Sequence, residues 1–277
     1  MKEVDFEEEW AERFEARREL MQKDYEIEGW TRRSEDYSDS RRTNDYEYGR
    51  NVLDTLMRYD ALHSDSLVLE VGSGPGTFVI PFARKIAKIT AVEPARGMIE
   101  KIMRNAEEAG IENFEIINKI WQEVRIPDIA RKYDLVITST VIWMFKDIWE
   151  QLQRMEQASK GCCCLVTGTG GWDGEGEKLW QEVMGDLKRP DYQEYPLIYN
   201  LLYSKGRLPN VRMITYISER SVDNMITMKR IFFEKYTDVT PDVERIITEH
   251  VLKNSDGGIC RNEGRAAVIW WDACEGC

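Results

Sequence analysis

Two acidic residues and a glycine-rich loop are the groups in this chain best suited to chemistry. Residues 68–71 (Val-Leu-Glu-Val) run into 72–77 (Gly-Ser-Gly-Pro-Gly-Thr), and a second apolar run ends at 91–94 (Ala-Val-Glu-Pro). Alternate glycines let the backbone turn sharply off a strand and approach a ligand, because a Cβ would collide with it or forbid the dihedral angles. A helix beginning near Thr77 would aim its free N–H groups into the same space.

The second acid, Glu93, stands at a distance typical of a nucleotide site. It lies 21 residues after Gly72. At that spacing a second parallel strand would end beside the first and offer a carboxylate to two ribose hydroxyls. The spacing therefore predicts a ligand that contains adenosine.

The details of the loop separate the candidate nucleotides. A dinucleotide fingerprint reads G-x-G-x-x-G, whereas here the glycines stand at 72, 74 and 76 and Thr77 follows the last one. Glu70, two residues before the first glycine, would repel a pyrophosphate but would suit an ammonium group. An ammonium, a ribose and an adenine together describe S-adenosylmethionine.

This region resembles the class I S-adenosylmethionine-dependent methyltransferases, whose first motif is an E/D-x-G-x-G-x-G loop. The resemblance covers roughly residues 48–171 and is carried by segments 68–77, 91–94, 116–124 and 133–139. It implies a Rossmann-like α/β fold, which is doubly wound around a mostly parallel seven-stranded sheet. Strands six and seven would form an antiparallel hairpin at the sheet's edge.

The resemblance also implies the cofactor contacts. Glu70 and the backbone of 72–76 would face the methionine part, Glu93 the ribose hydroxyls, and Pro94 one side of the adenine. Ile120 occupies the place where many members carry an aspartate for the adenine amino group, so Trp121 would contribute a flat wall or its backbone amide. The expected cofactor residues are Tyr48, Glu70, Gly72, Ser73, Gly74, Gly76, Glu93, Pro94, Ile120, Trp121 and Thr138.

Catalytic residues are less visible than cofactor residues. Methyl transfer is an in-line displacement from a sulfonium, so alignment and exclusion of water can suffice, and a general base is optional. His63, expected at the opposite sheet edge, and His250, in a late charged helix, are unconvincing bases. The four-residue spacing of Tyr195, Tyr199 and Tyr203 predicts either a packed aromatic face or a substrate wall. The candidate catalytic residues are Tyr48, Trp143, Asp173 and Tyr199.

Composition bounds the class of protein and partner. The 277 residues, 42% of them hydrophobic, favour one large α/β domain with additions. A net charge of −12 opposes binding to nucleic acid or to an anionic membrane. Without a membrane span or a signal peptide's apolar stretch, we expect a cytoplasmic protein with no membrane insertion. A homodimer is compatible with this composition.

The six cysteines fit a reducing compartment better than a disulfide framework. They are Cys162, Cys163, Cys164, Cys260, Cys274 and Cys277. The first three are adjacent, and small buried hydrophobic side chains are the favoured interpretation. The last two form a single C-x-x-C at the terminus, which is weak evidence for zinc and favours a frayed tail. No metal site is predicted, although the sequence leaves open whether these cysteines meet around a metal.

Hydrophobic periodicity predicts the elements that position the loop and the acids. Strands are expected at 67–71, 89–92, 114–117, 135–138, 163–167, 211–217 and 265–271. Helices are expected at 51–62, 82–88, 95–109, 148–159, 178–187, 222–234 and 243–252.

The organisation expected is a helical cap followed by the methyltransferase domain. Phe6, Trp10 and Phe14 fall on one helix face, with Trp30 further on, so residues 1–47 would either cap the ligand edge of the sheet or form a dimerisation helix. Residues 48–277 would carry helical additions after strand five, at about 172–209, and between strands six and seven, at about 218–262. Substrate specificity is expected in these additions.

The residues after strand four bear on the methyl acceptor. Enzymes that methylate amino groups of DNA or of protein glutamine carry N/D-P-P-Y/F there, whereas this chain reads Thr138-Ser139-Thr140. With the acidic charge, this favours a small-molecule methyltransferase of the ubiquinone/menaquinone or thiol/metalloid type, acting on oxygen, carbon or sulfur. The alternatives are a non-catalytic S-adenosylmethionine-binding or assembly protein and an NAD(P)-dependent oxidoreductase, which the missing third fingerprint glycine and Glu70 oppose.

Overall fold

A seven-stranded sheet forms the centre of the protein. The computed structural model describes residues 4–22, 27–170, 174–190 and 194–273. Its sheet has the order β3-β2-β1-β4-β5-β7-β6. Strands β1 to β5 run parallel, and β7 pairs antiparallel with both β5 and β6, so the predicted doubly wound, mostly parallel sheet is confirmed. The strands are β1 Leu67–Val71, β2 Lys88–Val92, β3 Phe114–Ile117, β4 Tyr133–Ser139, β5 Ser159–Gly168, β6 Asn210–Ser221 and β7 Ile259–Asp272.

Helices cover both faces of the sheet. Neighbouring strand residues enter opposite clusters: Val68 packs on one face with helices α4 to α6, and Leu69 packs on the other with α7 and α9. Strands buried on both faces read as continuous apolar runs, which explains the motif before the loop. The helices are α1 Phe6–Leu20, α2 Ile27–Arg32, α3 Ser34–Arg42, α4 Glu47–Arg58, α5 Val79–Ala83, α6 Arg96–Ala109, α7 Ile148–Ala158, α8 Gly174–Met184, α9 Tyr195–Ser204, α10 Val222–Phe233 and α11 Pro241–Lys253.

The helix predicted at 82–88 is wrong, because α5 ends at Ala83 and Lys88 already belongs to β2. Asn113 lies 30 residues further along the chain and donates to the carbonyl oxygens of Ala83, at 2.9 Å, and Ile86, at 3.0 Å. These bonds satisfy carbonyl groups that a longer helix would have used internally.

The N-terminal helices pack against the body of the protein. Trp10 of α1 is buried, and its Nε1 donates to the Phe145 carbonyl oxygen at 2.8 Å. Helix α2 lies on α6 where Gly97 leaves room, since a Cβ there would stand 2.8 Å from the Thr31 carbonyl oxygen. Helix α3 contacts α6 and β6. Trp10 thus packs within its own chain, while the domain boundaries and the homodimer stay predictions.

Helices α8, α10 and α11 of the two additions share a separate small core. Trp180 of α8 packs on Phe233 and Tyr236, and Ile247 and Val251 of α11 complete the cluster. The pairing of β6 with β7 extends to Ser221 and Ile259. Both strands are therefore longer than the predicted 211–217 and 265–271. None of the helices in the described part of the chain is long and apolar enough to cross a membrane.

Candidate active site

A cavity of about 360 Å³ lies at the carboxyl ends of the central strands. It sits where the strand order reverses between β2 and β4 on either side of β1, which is where open α/β sheets bind ligands. The loops after β1, β2, β3 and β4 form its floor, and helices α2 and α3 contribute Ile27, Trp30, Tyr37 and Arg41. No described residue of helices α8 to α11, which belong to the additions, lines it.

The glycine loop takes the sharp turn that its sequence predicts. Gly72 has φ +73°, in the left-handed region, and its N–H donates to the Val92 carbonyl oxygen at 2.8 Å. A Cβ at Gly72 would stand 2.4 Å from Val141 Cγ2. Dihedral angle and space therefore both require glycine here.

Glu93 links the end of β2 to the glycine loop. Its Oε2 accepts from the Gly74 N–H at 2.8 Å, and its Oε1 accepts from the Ala95 N–H at 2.9 Å. Burial raises the pKa of Glu93 to about 7, although these two backbone hydrogen bonds oppose the shift. A carboxylate has about four lone-pair positions, so two acceptor positions remain for hydroxyl groups in the cavity.

Glu70 is a buried acid whose Oε2 has no hydrogen-bond partner among the described residues. Its side chain lines the cavity although the residue is 2% exposed. Burial raises its pKa well above the ordinary value, and the nearby charge of Glu93 adds to this shift. A buried acid of this kind is stabilised by a cation, so the site fits the ammonium group of S-adenosylmethionine.

The end of the cavity beyond Glu93 is apolar and flat-walled. Pro94, Met98, Ile120 and Trp121 line it. Trp121 is held in place by Arg154, whose guanidinium lies 5.2 Å from the indole centroid and whose Nη2 donates to the Trp121 carbonyl oxygen at 2.9 Å. Such walls suit a planar aromatic ring like adenine.

The opposite end of the cavity carries hydroxyl groups and a cation. The hydroxyls of Tyr48 and Ser139 lie 2.7 Å apart, and the Arg41 Nη2 donates to the Tyr37 hydroxyl at 3.0 Å. Burial, reinforced by Tyr216, raises the pKa of Tyr48 well above its usual range. Tyr48 is therefore a neutral hydroxyl group and a poor proton acceptor at neutral pH.

Most of the expected cofactor residues meet at this cavity. Tyr48, Glu70, Gly72, Ser73, Gly74, Glu93, Pro94, Ile120 and Trp121 line it. Gly76 and Thr138 do not: Gly76 turns the loop toward α5, and the Thr138 hydroxyl donates to the Val71 carbonyl oxygen at 3.0 Å inside the sheet.

Of the other candidate catalytic residues, Trp143 and Tyr199 do not join Tyr48. The Trp143 Nε1 donates to the Thr140 carbonyl oxygen at 2.7 Å, outside the cavity lining. Tyr195 and Tyr199 pack against the cluster that contains Trp10, whereas Tyr203 is exposed, so only part of the expected aromatic face is packed. Asp173 lies outside the described residues.

Several lining residues were not identified as site residues from the sequence: Ile27, Trp30, Tyr37, Arg41, Met98, Lys119, Gln122, Ser139, Thr140, Val141, Met144 and Phe145. Tyr37 and Arg41 stand four residues apart on one helix face, which was the available signal, but their segment reads as a polar surface helix.

Replacing Thr138 with valine tests its placement within the sheet. We expect the free energy of unfolding to fall by about 1 kcal/mol, because one buried hydrogen bond is lost. Affinity for S-adenosylhomocysteine should not change. Denaturant unfolding and calorimetry measure the two effects, and a more than fivefold loss of affinity would place Thr138 at the cofactor after all.

Neither a reactive thiol nor a metal site is indicated for the buried cysteines Cys163 and Cys164. Burial raises the pKa of Cys163 and Cys164 well above the ordinary value, which makes both poor nucleophiles. The described residues contain no group of three His, Cys, Asp or Glu side chains that could hold a metal. Cys274 and Cys277 lie outside them.

Comparisons with known proteins agree with this geometry. Residues 68–160 match the family model described as a methyltransferase domain. An uncharacterized protein of Haemophilus influenzae is 23% identical over 233 residues, 78% of this chain and 80% of that protein. A protein of Methanosphaera stadtmanae described as a probable ribosomal RNA small subunit methyltransferase A is 25% identical over 101 residues, 36% of each chain.

A solved structure shows the same fold with a bound cofactor product. Magnesium protoporphyrin IX methyltransferase from Synechocystis PCC 6803, with bound SAH, has a TM-score of 0.50 at 14% identity, covering 83% of this chain and 85% of that chain. The matched family domain contains the glycine loop, Glu70 and Glu93. The chain therefore contains a methyltransferase domain at residues 68–160, and its site fits S-adenosylmethionine as the cofactor.

Proposed function

We propose that the protein transfers the methyl group of S-adenosylmethionine to an oxygen, carbon or sulfur atom of a small molecule. The observation that carries the proposal is the covered cavity, because helices α2 and α3 wall in the cleft at the strand ends. A volume of about 360 Å³ is within the range of small-molecule sites. The net charge of −12 also disfavours a polyanionic acceptor.

In this proposal different residues of the cavity bind different parts of the cofactor. Glu93 accepts hydrogen bonds from the ribose hydroxyls with its two remaining acceptor positions. Glu70 pairs with the ammonium group, and the apolar end around Trp121 holds the adenine. The bound cofactor supplies an electrophilic methyl group on a sulfonium.

The acceptor would lie on the β4 side, toward Tyr48 and Ser139. The adenosine residues follow β2 and β3 and Glu70 lies on β1, so this side is the remaining part of the cavity. Tyr48 donates or accepts a hydrogen bond as a neutral hydroxyl and orients the acceptor, while the cap helices exclude water. Catalysis by alignment is therefore proposed, without a general base. Asp173 remains a candidate catalytic residue on the basis of the sequence.

Labelled methyl transfer distinguishes the possible acceptors. The protein is incubated with radiolabelled S-adenosylmethionine and a cell extract, which is then separated into metabolites, RNA and protein. Label in the metabolite fraction supports the proposal. The resemblance to a ribosomal RNA methyltransferase makes RNA the second candidate, so label in RNA that disappears with ribonuclease would contradict a small-molecule acceptor.

The pKa of Glu93 predicts how pH affects cofactor affinity. Because its pKa is about 7, the fraction ionised rises between pH 6 and pH 8, and only the ionised form offers acceptor positions on both oxygens. We expect S-adenosylhomocysteine to bind about tenfold more tightly at pH 8 than at pH 6. Isothermal calorimetry measures the affinity at each pH. In E93Q the affinity should change less with pH, by the amount that Glu70 contributes.

The same pKa has the opposite effect on the ligand-free protein. The folded state holds the Glu93 proton up to about pH 7, whereas the unfolded state releases it near 4.5, so the folded state binds more protons between these values. The contribution of Glu93 to the free energy of unfolding therefore decreases as pH rises through this window. A wild-type pH profile identical to that of E93Q in both measurements would contradict the assignment.

A further inference from the structure

Residues 140–145, which we call the β4–α7 segment, begin with a strained residue at the wall of the cavity. Thr140 has φ +52°, in the left-handed region, which a β-branched residue rarely adopts because its side chain crowds the backbone. Both backbone groups of Thr140 are bonded. Its N–H donates to the Val166 carbonyl oxygen at 3.0 Å, and its carbonyl oxygen accepts from the Trp143 Nε1 at 2.7 Å. The surrounding structure therefore holds Thr140 in a conformation that its own side chain disfavours.

The β4–α7 segment forms the wall of the cavity on the side proposed for the methyl acceptor. Thr140, Val141, Met144 and Phe145 line the cavity. Val141 lies directly against the glycine loop, because a Cβ at Gly72 would stand 2.4 Å from Val141 Cγ2. A shift of this segment would therefore change the shape of the cavity next to the glycine loop.

Helix α1 binds the far end of the β4–α7 segment. Trp10 is 1% exposed, and its Nε1 donates at 2.8 Å to the carbonyl oxygen of Phe145, 135 residues further along the chain. Arg17 lies two turns after Trp10 on the same helix, and its Nη2 donates to the Trp143 carbonyl oxygen at 3.4 Å. Two side chains of α1 thus bind two backbone carbonyl groups of the segment.

A buried ion pair fixes Arg17 in turn. Its Nη1 lies 2.9 Å from Glu194 Oε1, and both side chains are largely buried. Glu194 Oε2 accepts from the Thr167 hydroxyl at 2.9 Å. Thr167 follows Val166, which bonds to the Thr140 N–H, on β5. The two ends of the segment are therefore attached to one buried polar network.

We propose that Trp10 and Arg17 are positioning residues, which hold the β4–α7 segment in the strained conformation in which it orients the methyl acceptor. The strain at Thr140 is the reason why the segment needs this clamp, because a released segment would relax there and move the cavity wall. Trp10 and Arg17 do not line the cavity, so they act through the segment. This role rests on the proposed placement of the acceptor on the β4 side.

Hydrogen exchange followed by mass spectrometry tests the clamp without any acceptor. W10F keeps an aromatic ring but loses the bond to the Phe145 carbonyl oxygen. The amides of residues 140–145 should therefore exchange about tenfold faster in W10F than in wild type, while those of β1 should exchange at the wild-type rate. R17M removes the second bond and serves as the test if W10F does not fold.

Trp180 provides the matched control for Trp10. It is also 1% exposed, and its Nε1 donates to the Leu187 carbonyl oxygen at 2.6 Å. It belongs, however, to the small core of the additions and does not line the cavity. W180F should therefore leave the exchange of residues 140–145 unchanged. Equal acceleration in W10F and W180F, or none in W10F, would overturn the clamp.

Glycine at position 140 tests the strain. Glycine adopts φ +52° freely, and the strain removed should exceed the freedom that glycine adds to the unfolded chain. T140G should therefore unfold about 2 °C above wild type. Because its segment has no strain to relax, adding W10F to T140G should accelerate the exchange of residues 141–145 by less than about threefold. A lower unfolding temperature in T140G, or a tenfold effect of W10F in both backgrounds, would overturn the strained conformation.

Methyl transfer tests the positioning role. The assay follows label from saturating S-adenosylmethionine into the extract fraction that the wild-type protein labels. W10F should transfer label about tenfold more slowly, because the acceptor is misplaced, and should bind S-adenosylhomocysteine within about threefold of wild type. W180F should transfer at the wild-type rate. Faster exchange in W10F with an unchanged transfer rate would overturn the positioning role. The proposed small-molecule acceptor fails separately, if wild type labels only RNA.

Discussion

Replacing Glu93 with alanine is expected to weaken binding of S-adenosylhomocysteine about 100-fold, which is about 2.7 kcal/mol. In the proposed placement of the cofactor, the substitution removes the acceptor for the ribose hydroxyls. It also releases the Gly74 N–H, which Glu93 holds at 2.8 Å, so the loop loses part of its preorganisation. Isothermal calorimetry at pH 8, where the wild-type carboxylate is ionised, gives the affinity of both proteins.

Glu93→Gln is the matched control for this change. The amide keeps the size of the side chain and one carbonyl acceptor. We therefore expect the affinity of E93Q for S-adenosylhomocysteine to lie between those of wild type and E93A. Circular dichroism establishes that both variants are folded. Affinity of E93A within threefold of wild type would contradict the ribose assignment.

Replacing Gly72 with alanine should lower the free energy of unfolding by about 3 kcal/mol and abolish measurable cofactor binding. The residue has φ +73°, and the new Cβ would stand 2.4 Å from Val141 Cγ2. The loop must move away from Val141, and both groups line the cavity. Denaturant unfolding and calorimetry with S-adenosylhomocysteine measure the two losses.

Gly110 separates backbone strain from the collision. It has a similar φ of +64°, but a Cβ there would meet nothing within 4 Å. G110A should therefore cost about 1 kcal/mol of stability with unchanged cofactor affinity. Adding V141A to G72A should restore part of the loss, because it removes the colliding methyl groups. Equal effects of G72A and G110A would mean that the collision at Val141 does not matter.

The part of the cavity around the glycine loop could be predicted because its residues are local in sequence. Glu70 and the glycines belong to one strand and its loop, and Glu93 follows at the spacing that parallel strands impose. The continuous apolar runs of β1 and β2 indicate where both strands end. From these residues alone the fold and the cofactor could be argued.

The rest of the cavity depends on contacts between distant segments. Tyr37 and Arg41 reach the cavity because α3 packs on α6 and β6, and Arg220 on β6 bonds to Asp36 of α3, which is far from it in sequence. The end of α5 likewise depends on the distant side chain of Asn113. Helical periodicity cannot report such partners, which explains both the missed cap residues and the wrong helix at 82–88.

The position of Trp121 shows an intermediate case. The sequence predicts a flat wall beside the adenine, and the structure places the indole at the apolar end of the cavity. Its orientation comes from Arg154 on α7, which bonds to the Trp121 carbonyl oxygen. The residue type indicated a flat aromatic wall, whereas the orientation of the indole toward the cavity depends on its packing against Arg154.

Thermal unfolding with and without S-adenosylhomocysteine, with NADH as a parallel control, tests the central claim most directly. Ligand at 100 times its dissociation constant should add about 2.7 kcal/mol to the free energy of unfolding and raise the midpoint by several degrees. A shift with S-adenosylhomocysteine and none with NADH is the predicted result. No shift with S-adenosylhomocysteine, or a shift with NADH alone, would contradict the assignment of the cavity to S-adenosylmethionine.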